Sequence, residues 1–270
     1  MPAGKSAGLW CKLNRLPTAA LLKYMLVMAL LLWLLARGTA GLGYHWQWYR
    51  VPPYLWTFDQ GNFVTGPLMQ GLAVTLRICG VSFFLAFALG LVTALLRMSK
   101  SFMAQVISRT YLEIIRNTPL LVQLFFIYFV LSPVLAISGF TSAVVALSLF
   151  EGAYASEIFR SGIVSIHKGQ WEAAASIGLS RYHTYRHVIL PQAVRRILPP
   201  LTSQAVSLIK DSALVSTIAI HDLTMQGQII IAETFLVFEL WFTVALIYLV
   251  INTVLSMAVY WMEWRLRLDY

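Results

Sequence analysis

Long apolar runs alternate with short charged stretches along the chain, at the spacing expected of a helix bundle folded across a lipid bilayer. A helix needs roughly 20 residues to cross the hydrocarbon core. Residues 16 to 36, LPTAALLKYMLVMALLLWLLA, are the first run of that kind, with Lys23 able to snorkel to the inner surface. Residues 78 to 96 carry no charge and end at Arg97. From Asn117 to Phe150 no charge occurs, and LSPVLAISGF at 131 to 140 divides that run at Pro133 and Gly139 into two spans, roughly 117 to 137 and 140 to 160. Residues 192 to 217 form a fifth, more polar span, interrupted by Pro199 and Pro200, and residues 240 to 262 a last uncharged one closed by EWRLRLDY. The pattern predicts an all-α polytopic membrane protein.

Composition agrees. The chain of 270 residues is 59% hydrophobic and only 11% charged, with mean hydropathy +0.73, whereas a soluble domain carries roughly 25% charged residues. A net charge of +9 would suit nucleic-acid binding, but the positions of the charges point to the membrane. With the N-terminus inside, the inner side holds Lys5, Lys12, Arg15, Lys23, Arg97, Lys100, Arg109, Arg116, Arg160, Lys168, Arg181, Arg186, Arg195, Arg196, Arg265 and Arg267. The outer side holds Arg37 and Arg50, while Arg77 and Lys210 lie near outer span ends. This asymmetry places both termini and residues 161 to 191 in the cytoplasm.

Residues 41 to 60, GLGYHWQWYRVPPYLWTFDQ, are rich in rings that favour the membrane–water boundary, and an outer interfacial segment is expected there. GTAG at 38 to 41 offers small residues for cleavage of a signal peptide, but Arg37 beside it and the long apolar run favour a retained anchor. Cys11 and Cys79 are the two cysteines, and a disulfide framework is not expected. The length holds about six spans, too few for a ten- or twelve-span carrier in one chain.

One polar stretch stands out among these runs: QWEAAASIGLSRYHTYRHVILPQA, residues 170 to 193. WEAAAS is built of strong helix formers, Gly178 suits a left-handed cap, Ser180 suits an N-cap for a second short helix, and Pro191 suits the first turn of the following span. The expected form is helix, glycine turn, helix and membrane span: a stiff, water-facing elbow fit to transmit force from a cytoplasmic partner.

These residues carry a resemblance. Glu172, Ala173 and Ala174, then Gly178, then Leu190 and Pro191 are similar to the cytoplasmic signature of permease subunits of bacterial ABC importers; Val188 stands where Ile is usual. GLAVTLRI at 71 to 78, RNTPLLVQLFFIYF at 116 to 129, AYASEIFRSGI at 153 to 163 and LIKDSALVSTIAIHDLT at 208 to 224 resemble the polar amino-acid branch of that family, the histidine, glutamine and glutamate type. The resemblance spans about residues 66 to 265. It implies a type I importer core of five spans with the elbow at 165 to 191, preceded by a tail, an extra anchor span and an aromatic segment at 1 to 65, and followed by a short tail at 266 to 270. It further implies that the elbow docks on an ATP-hydrolysing subunit, with Glu172 facing a basic group there. The other implied partners are a second permease chain and a periplasmic amino-acid-binding protein. The implied location is the bacterial inner membrane.

The chain is not expected to bind ATP. Gly4-Lys5-Ser6 looks like the end of a phosphate loop, but the loop needs an earlier glycine for which there is no room. No catalytic constellation and no metal spacing is evident; His183 and His187, four residues apart on an exposed face, read as solvated.

Ionisable groups within spans are functional candidates. Glu151 falls near the middle of the fourth span, where its carboxylate can meet a substrate ammonium or be held by Ser or Thr of a neighbouring helix. Glu157 reads as a structural pairing residue. Arg77 reads as snorkelling at the outer boundary and Lys210 with Asp211 as an outer ion pair or gate; Lys210 or Arg77 can also guide a substrate carboxylate from the outer side. Thr202, Ser203, Gln204 and Ser207 follow the prolines and either line a pathway or bond between helices. Glu113 and Arg116 either pair with one another or mark the inner end of a pathway helix. Two other functions compete with ATP-driven uptake: a channel or carrier acting alone, and a membrane scaffold.

Overall fold

A computed structural model of the chain describes residues 18–41, 43–59 and 61–266. Residues 1–17, with Cys11 and Gly4-Lys5-Ser6, residues 42 and 60, and residues 267–270 lie outside the described residues. The chain divides into two units, Met1–Gln47 and Trp48–Tyr270. In the first, helix α1 (Thr18–Gly41) has 24 residues, a rise of about 36 Å at 1.5 Å per residue and enough to cross a bilayer. Leu22, Met25, Leu26 and Trp33 on it are exposed.

The second unit is built on α2 (Pro67–Met98), α3 (Phe102–Arg116), α4 (Leu120–Leu135), α5 (Gly139–Val164), α6 (Lys168–Ser176), α7 (Arg181–Ile218), α8 (Leu223–Thr234) and α9 (Val237–Leu266). By length and composition α2, α5 and α9 can each cross a membrane, and two further crossings result if α3 with α4, bent by 105°, and α7 with α8, bent by 48°, each count as one span. The charged interval after Arg97 therefore folds as helix α3, and the segment after Ile218 as helix α8. Neither was marked by the run of apolar residues.

Helix α5 is the centre of the bundle and packs on α2, α4, α3 and α7. Its contact with α2 is close because the facing residues are small. Ala86, Gly90 and Ala94 of α2 are buried, as are Gly152, Ala155 and Ser156 of α5. A Cβ at Gly90 would lie 2.7 Å from the Ala155 Cβ and 3.0 Å from the Gly152 carbonyl oxygen. Small residues let helix backbones approach in a bilayer, where packing rather than the hydrophobic effect joins helices.

One expectation about proline is corrected. Pro199 and Pro200 do not interrupt the fifth span: Leu190–Asp211 is one helix running through both. The prolines remove donors from the carbonyls of Arg195 and Arg196, which lie on an exposed part of the helix where water or headgroups can bond them. The Thr202 hydroxyl donates to the Leu198 and Pro199 carbonyls at 3.0 and 2.8 Å. Pro191 stands in the first turn of Leu190–Asp211, as its residue type predicts. The helix is continuous from Arg181, and Thr184–Ile189 forms a wider π-helical turn in which the Leu190 N–H donates to the Tyr185 carbonyl. That widening accommodates a proline that has no N–H to donate.

The part of the aromatic segment from Trp48 on caps the end of the bundle opposite α6. After a turn at Trp48–Arg50 and a helical turn at Pro52–Leu55, strands β1 (Trp56–Asp59) and β2 (Asn62–Thr65) pair antiparallel, Trp56 opposite Thr65 and Asp59 opposite Asn62. This hairpin is the departure from an all-α fold among the described residues. Val51 is buried with Leu68, Leu223, Leu236 and Leu240, whereas Trp56, Phe58 and Phe63 are exposed.

Candidate functional site

The elbow takes the form its residues dictate. At the end of α6 the Gly178 N–H donates to the Ala175 carbonyl at 3.0 Å and the Leu179 N–H to the Ala174 carbonyl at 3.1 Å. With Gly178 at φ +77°, this is the paired-bond helix stop that a left-handed glycine allows. Ser180 then caps α7, accepting from the His183 N–H at 3.4 Å. The limbs are locked together by Trp171 and Tyr185, edge to face with centroids 4.8 Å apart, and by Gln192 donating to Gln170 at 3.2 Å. Glu172, Ala173, Gly178, Leu190 and Pro191 are exposed, but Ala174 is buried. The first two residues of the signature thus face outward and the third secures the limb. His183 and His187 are exposed, and no cluster of three or more metal-ligating side chains occurs among the described residues.

Where α5 ends, Glu157 ties three helices. It accepts from Arg97 of α2, from Arg116 of α3 at 3.1 Å and from Arg160 of its own helix at 3.2 Å. Arg116 therefore turns to Glu157, and Glu113 instead accepts from the Asn117 amide at 2.8 Å. Gln123 secures the sharp bend between α3 and α4 by donating to the carbonyls of Ile115 and Thr118, at 2.7 and 3.0 Å.

In the middle of α5, Glu151 is 1% exposed. One carboxyl oxygen accepts from the Gln204 amide of α7, and the other has no amide or hydroxyl donor among the described residues; the Asp211 carboxyl is its neighbour. The partner is an amide, not the Ser or Thr weighed from the sequence. The space around this contact, lined by Phe83, Ala86, Phe87, Glu151, Ala155, Leu201, Gln204 and Leu208, is about 10 Å³, the scale of one water molecule at most. Glu151, with one amide donor, is closed off from solvent, while Asp211 beside it is only partly buried; a cationic group reaches Glu151 once α7 moves away from α5.

Lys210 is exposed and opens onto a groove between α7 and α9. A cavity of about 430 Å³ there is lined by Ser203, Val206, Ser207, Lys210, Ser256, Val259 and Tyr260, and adjoins one of about 800 Å³ that includes Asn252, Thr253 and Trp264. Lys210 and Asp211 form no salt bridge within 4.0 Å among the described residues. The structure thus brings Gln204 and Asp211 to Glu151 and puts Ser207 with Lys210 on a second face. Arg77 joins neither: it is exposed on the side of α2 away from the buried Thr75, Ile78, Cys79 and Ser82. The α9 side of the groove was not foreseen. Its signal was present as Asn252, Ser256 and Tyr260, polar or hydroxyl-bearing residues every fourth position in an otherwise apolar span.

Residues 86–268 match the family described as binding-protein-dependent transport system inner membrane component. The chain is 42% identical over 204 residues to the glutamine transport system permease protein GlnP of Escherichia coli (strain K12), over 74% of this chain and 93% of that one. It is 40% identical over 214 residues to the L-cystine transport system permease protein TcyB of Bacillus subtilis (strain 168), over 78% and 91% of the two chains. The crystal structure of an amino acid ABC transporter with histidines superposes with a TM-score of 0.70 at 37% identity, over 74% of this chain and 94% of that one. A methionine ABC transporter in an inward-facing conformation shares the fold, with a TM-score of 0.65 at 19% identity. Helix α1 and the hairpin lie before the family match.

Proposed function

The chain belongs to the family of binding-protein-dependent transport system inner membrane components, and on that premise we propose that it carries a polar amino acid of the glutamine or glutamate type inward across the inner membrane, driven by ATP hydrolysis in a separate subunit. Both termini face the cytoplasm in this reading. An ABC ATPase dimer seats on the elbows of two permease chains, identical or related, and a periplasmic binding protein delivers substrate to the outer face.

The observation that carries the reading is the continuity of α7. One helical run, Arg181–Ile218, joins the elbow to Gln204, Ser207, Lys210 and Asp211. Arg181 and Gln204 are about 35 Å apart along it at 1.5 Å per residue. A docked ATPase that pulls on α6 moves a rod whose far part bears the polar groups. Withdrawal of Gln204 from Glu151 opens the closed space around that acid. The substrate α-ammonium then meets Glu151 and Asp211, whose like charges disfavour one another until a cation lies between them. The α-carboxylate is guided by Lys210. The ATP-binding chemistry resides in the partner, since this chain contributes docking and passage only.

Reconstitution tests this. In proteoliposomes with its ATPase and binding protein, uptake is expected to require ATP; uptake at an equal rate without ATP would favour the channel or carrier reading. In the same assay Glu151→Gln is expected to reduce uptake and substrate-stimulated ATP hydrolysis by about ten-fold, equivalent to about 1.4 kcal/mol, without loss of assembly. Unchanged uptake kinetics over a range of substrate concentrations would leave Glu151 a structural buried acid.

A further inference from the structure

Helix α3 has three different faces. Ser108 and Leu112 are buried and Ala104, Tyr111 and Ile115 partly so, forming the face on the bundle. Arg109, Glu113 and Arg116 form a second, charged and exposed, with the exposed Phe102 at its start. Met103, Ile107 and Ile114 fall on a third, and they are 63%, 58% and 58% exposed. At 100° per residue the three faces lie about a third of a turn apart. A soluble surface helix has no use for that third stripe.

The setting of α3 supplies the occupant. By length α3 and α4 count together as one crossing, but at 105° they cannot both run along the membrane normal; with α4 along it, α3 lies close to the membrane plane. Arg97 and Arg116 at this end of the bundle are taken up by Glu157, and the nearby Lys100 and Arg109 are the cations suited to the anionic headgroups of the inner leaflet. A helix in that plane, with an apolar stripe on one flank and cations on the other, has the form of an interfacial membrane helix.

We propose that α3 is a lipid-contact element, with Met103, Ile107 and Ile114 inserted among the acyl chains of the inner leaflet and Lys100 and Arg109 against its headgroups. The leaflet assignment rests on the cytoplasmic placement of this end proposed above. Since Arg116 joins α3 to Glu157 and Gln123 joins it to α4, the bilayer surface then serves as the fixed footing against which α7 moves.

The test uses the full chain with Cys11→Ser and Cys79→Ser, in liposomes of phosphatidylethanolamine and phosphatidylglycerol. Spin labels are placed singly at Met103→Cys, Ile107→Cys, Ile114→Cys, Arg109→Cys and Glu113→Cys. Labels at 103, 107 and 114 are expected to collide with oxygen far more than with a water-soluble nickel chelate, and labels at 109 and 113 the reverse. Equal nickel access at 107 and 113 would overturn the proposal. So would shielding of 107 from both relaxants with spin–spin broadening that is lost on dilution with unlabelled chain, since that result assigns the stripe to a second copy. Independently, Lys100→Cys is expected to react with an impermeant maleimide from the cytoplasmic side; reaction from outside would overturn the inner-leaflet assignment while leaving the collision pattern to decide insertion.

Discussion

Valine in place of Gly178 is expected to lower ATP-driven uptake by about ten-fold or more while the spans still assemble. The cause is the backbone alone. Gly178 has φ +77°, and a Cβ there would meet no atom within 4 Å, so no clash within the chain enters. A β-branched residue in the left-handed region costs about 1 to 3 kcal/mol, and the chain escapes that cost by undoing the stop. The Gly178 and Leu179 N–H bonds to Ala175 and Ala174 are then lost, and α6 no longer holds a fixed angle to α7. Asparagine, which tolerates the left-handed region, is expected to retain most of the uptake. The check is uptake together with co-purification of the ATPase for the Val and Asn variants. Full uptake with Val, or equal failure of both with normal ATPase binding, would show that the turn geometry is not the coupling element.

The largest effect on the fold is expected from Gly90→Leu. The first atom of the new side chain would already stand 2.7 Å from the Ala155 Cβ and 3.0 Å from the Ser156 backbone nitrogen, so α2 and α5 must part along the most extensive contact in the bundle. Overpacking of this kind costs about 1 to 3 kcal/mol even where side chains can yield, and here a main-chain atom cannot. Gly80 on the same helix is exposed, and a Cβ there meets nothing within 4 Å. Gly80→Leu should therefore be neutral or mildly stabilising, as Gly within a helix costs about 1 kcal/mol relative to Ala. Size-exclusion recovery and thermal aggregation in detergent distinguish the two. Equal behaviour of both variants would contradict the close α2–α5 crossing.

The elbow was the most legible part of the molecule, because each of its signals is local. Gly178 and Ser180 act on backbone groups within a few residues of themselves, and the structure places both where their chemistry predicts. The uninterrupted apolar runs likewise marked α2, α5 and α9. Helix α3 was harder to read because it satisfies three environments at once; its charges at Arg109, Glu113 and Arg116 mask a stripe that hydropathy alone averages away. Proline misled for a related reason. Its cost is a missing donor and a steric clash, and carbonyls on an exposed part of the helix, which water can bond, offset that cost at Pro199 and Pro200. The pairing of Glu151 with Gln204 is a contact 53 residues apart in sequence, set by how α5 and α7 cross. Sequence identified both residues as candidates but not that they meet. Arg77 looked like a third member, yet the phase of α2 turns it to the opposite side.

In the proposed mechanism, motion of the elbow opens the closed space between α5 and α7. Leu201 is 4% exposed and lines that space with Glu151 and Gln204. With Cys11 and Cys79 replaced by serine, Leu201→Cys in the assembled transporter should react slowly with a small water-soluble thiol reagent at rest and much faster when ATP and a trapping anion hold the ATPase closed. With Gly178→Val added, the nucleotide should no longer accelerate the reaction. A reaction rate at Leu201→Cys that is the same with and without ATP, in a complex that hydrolyses ATP normally, would contradict the account.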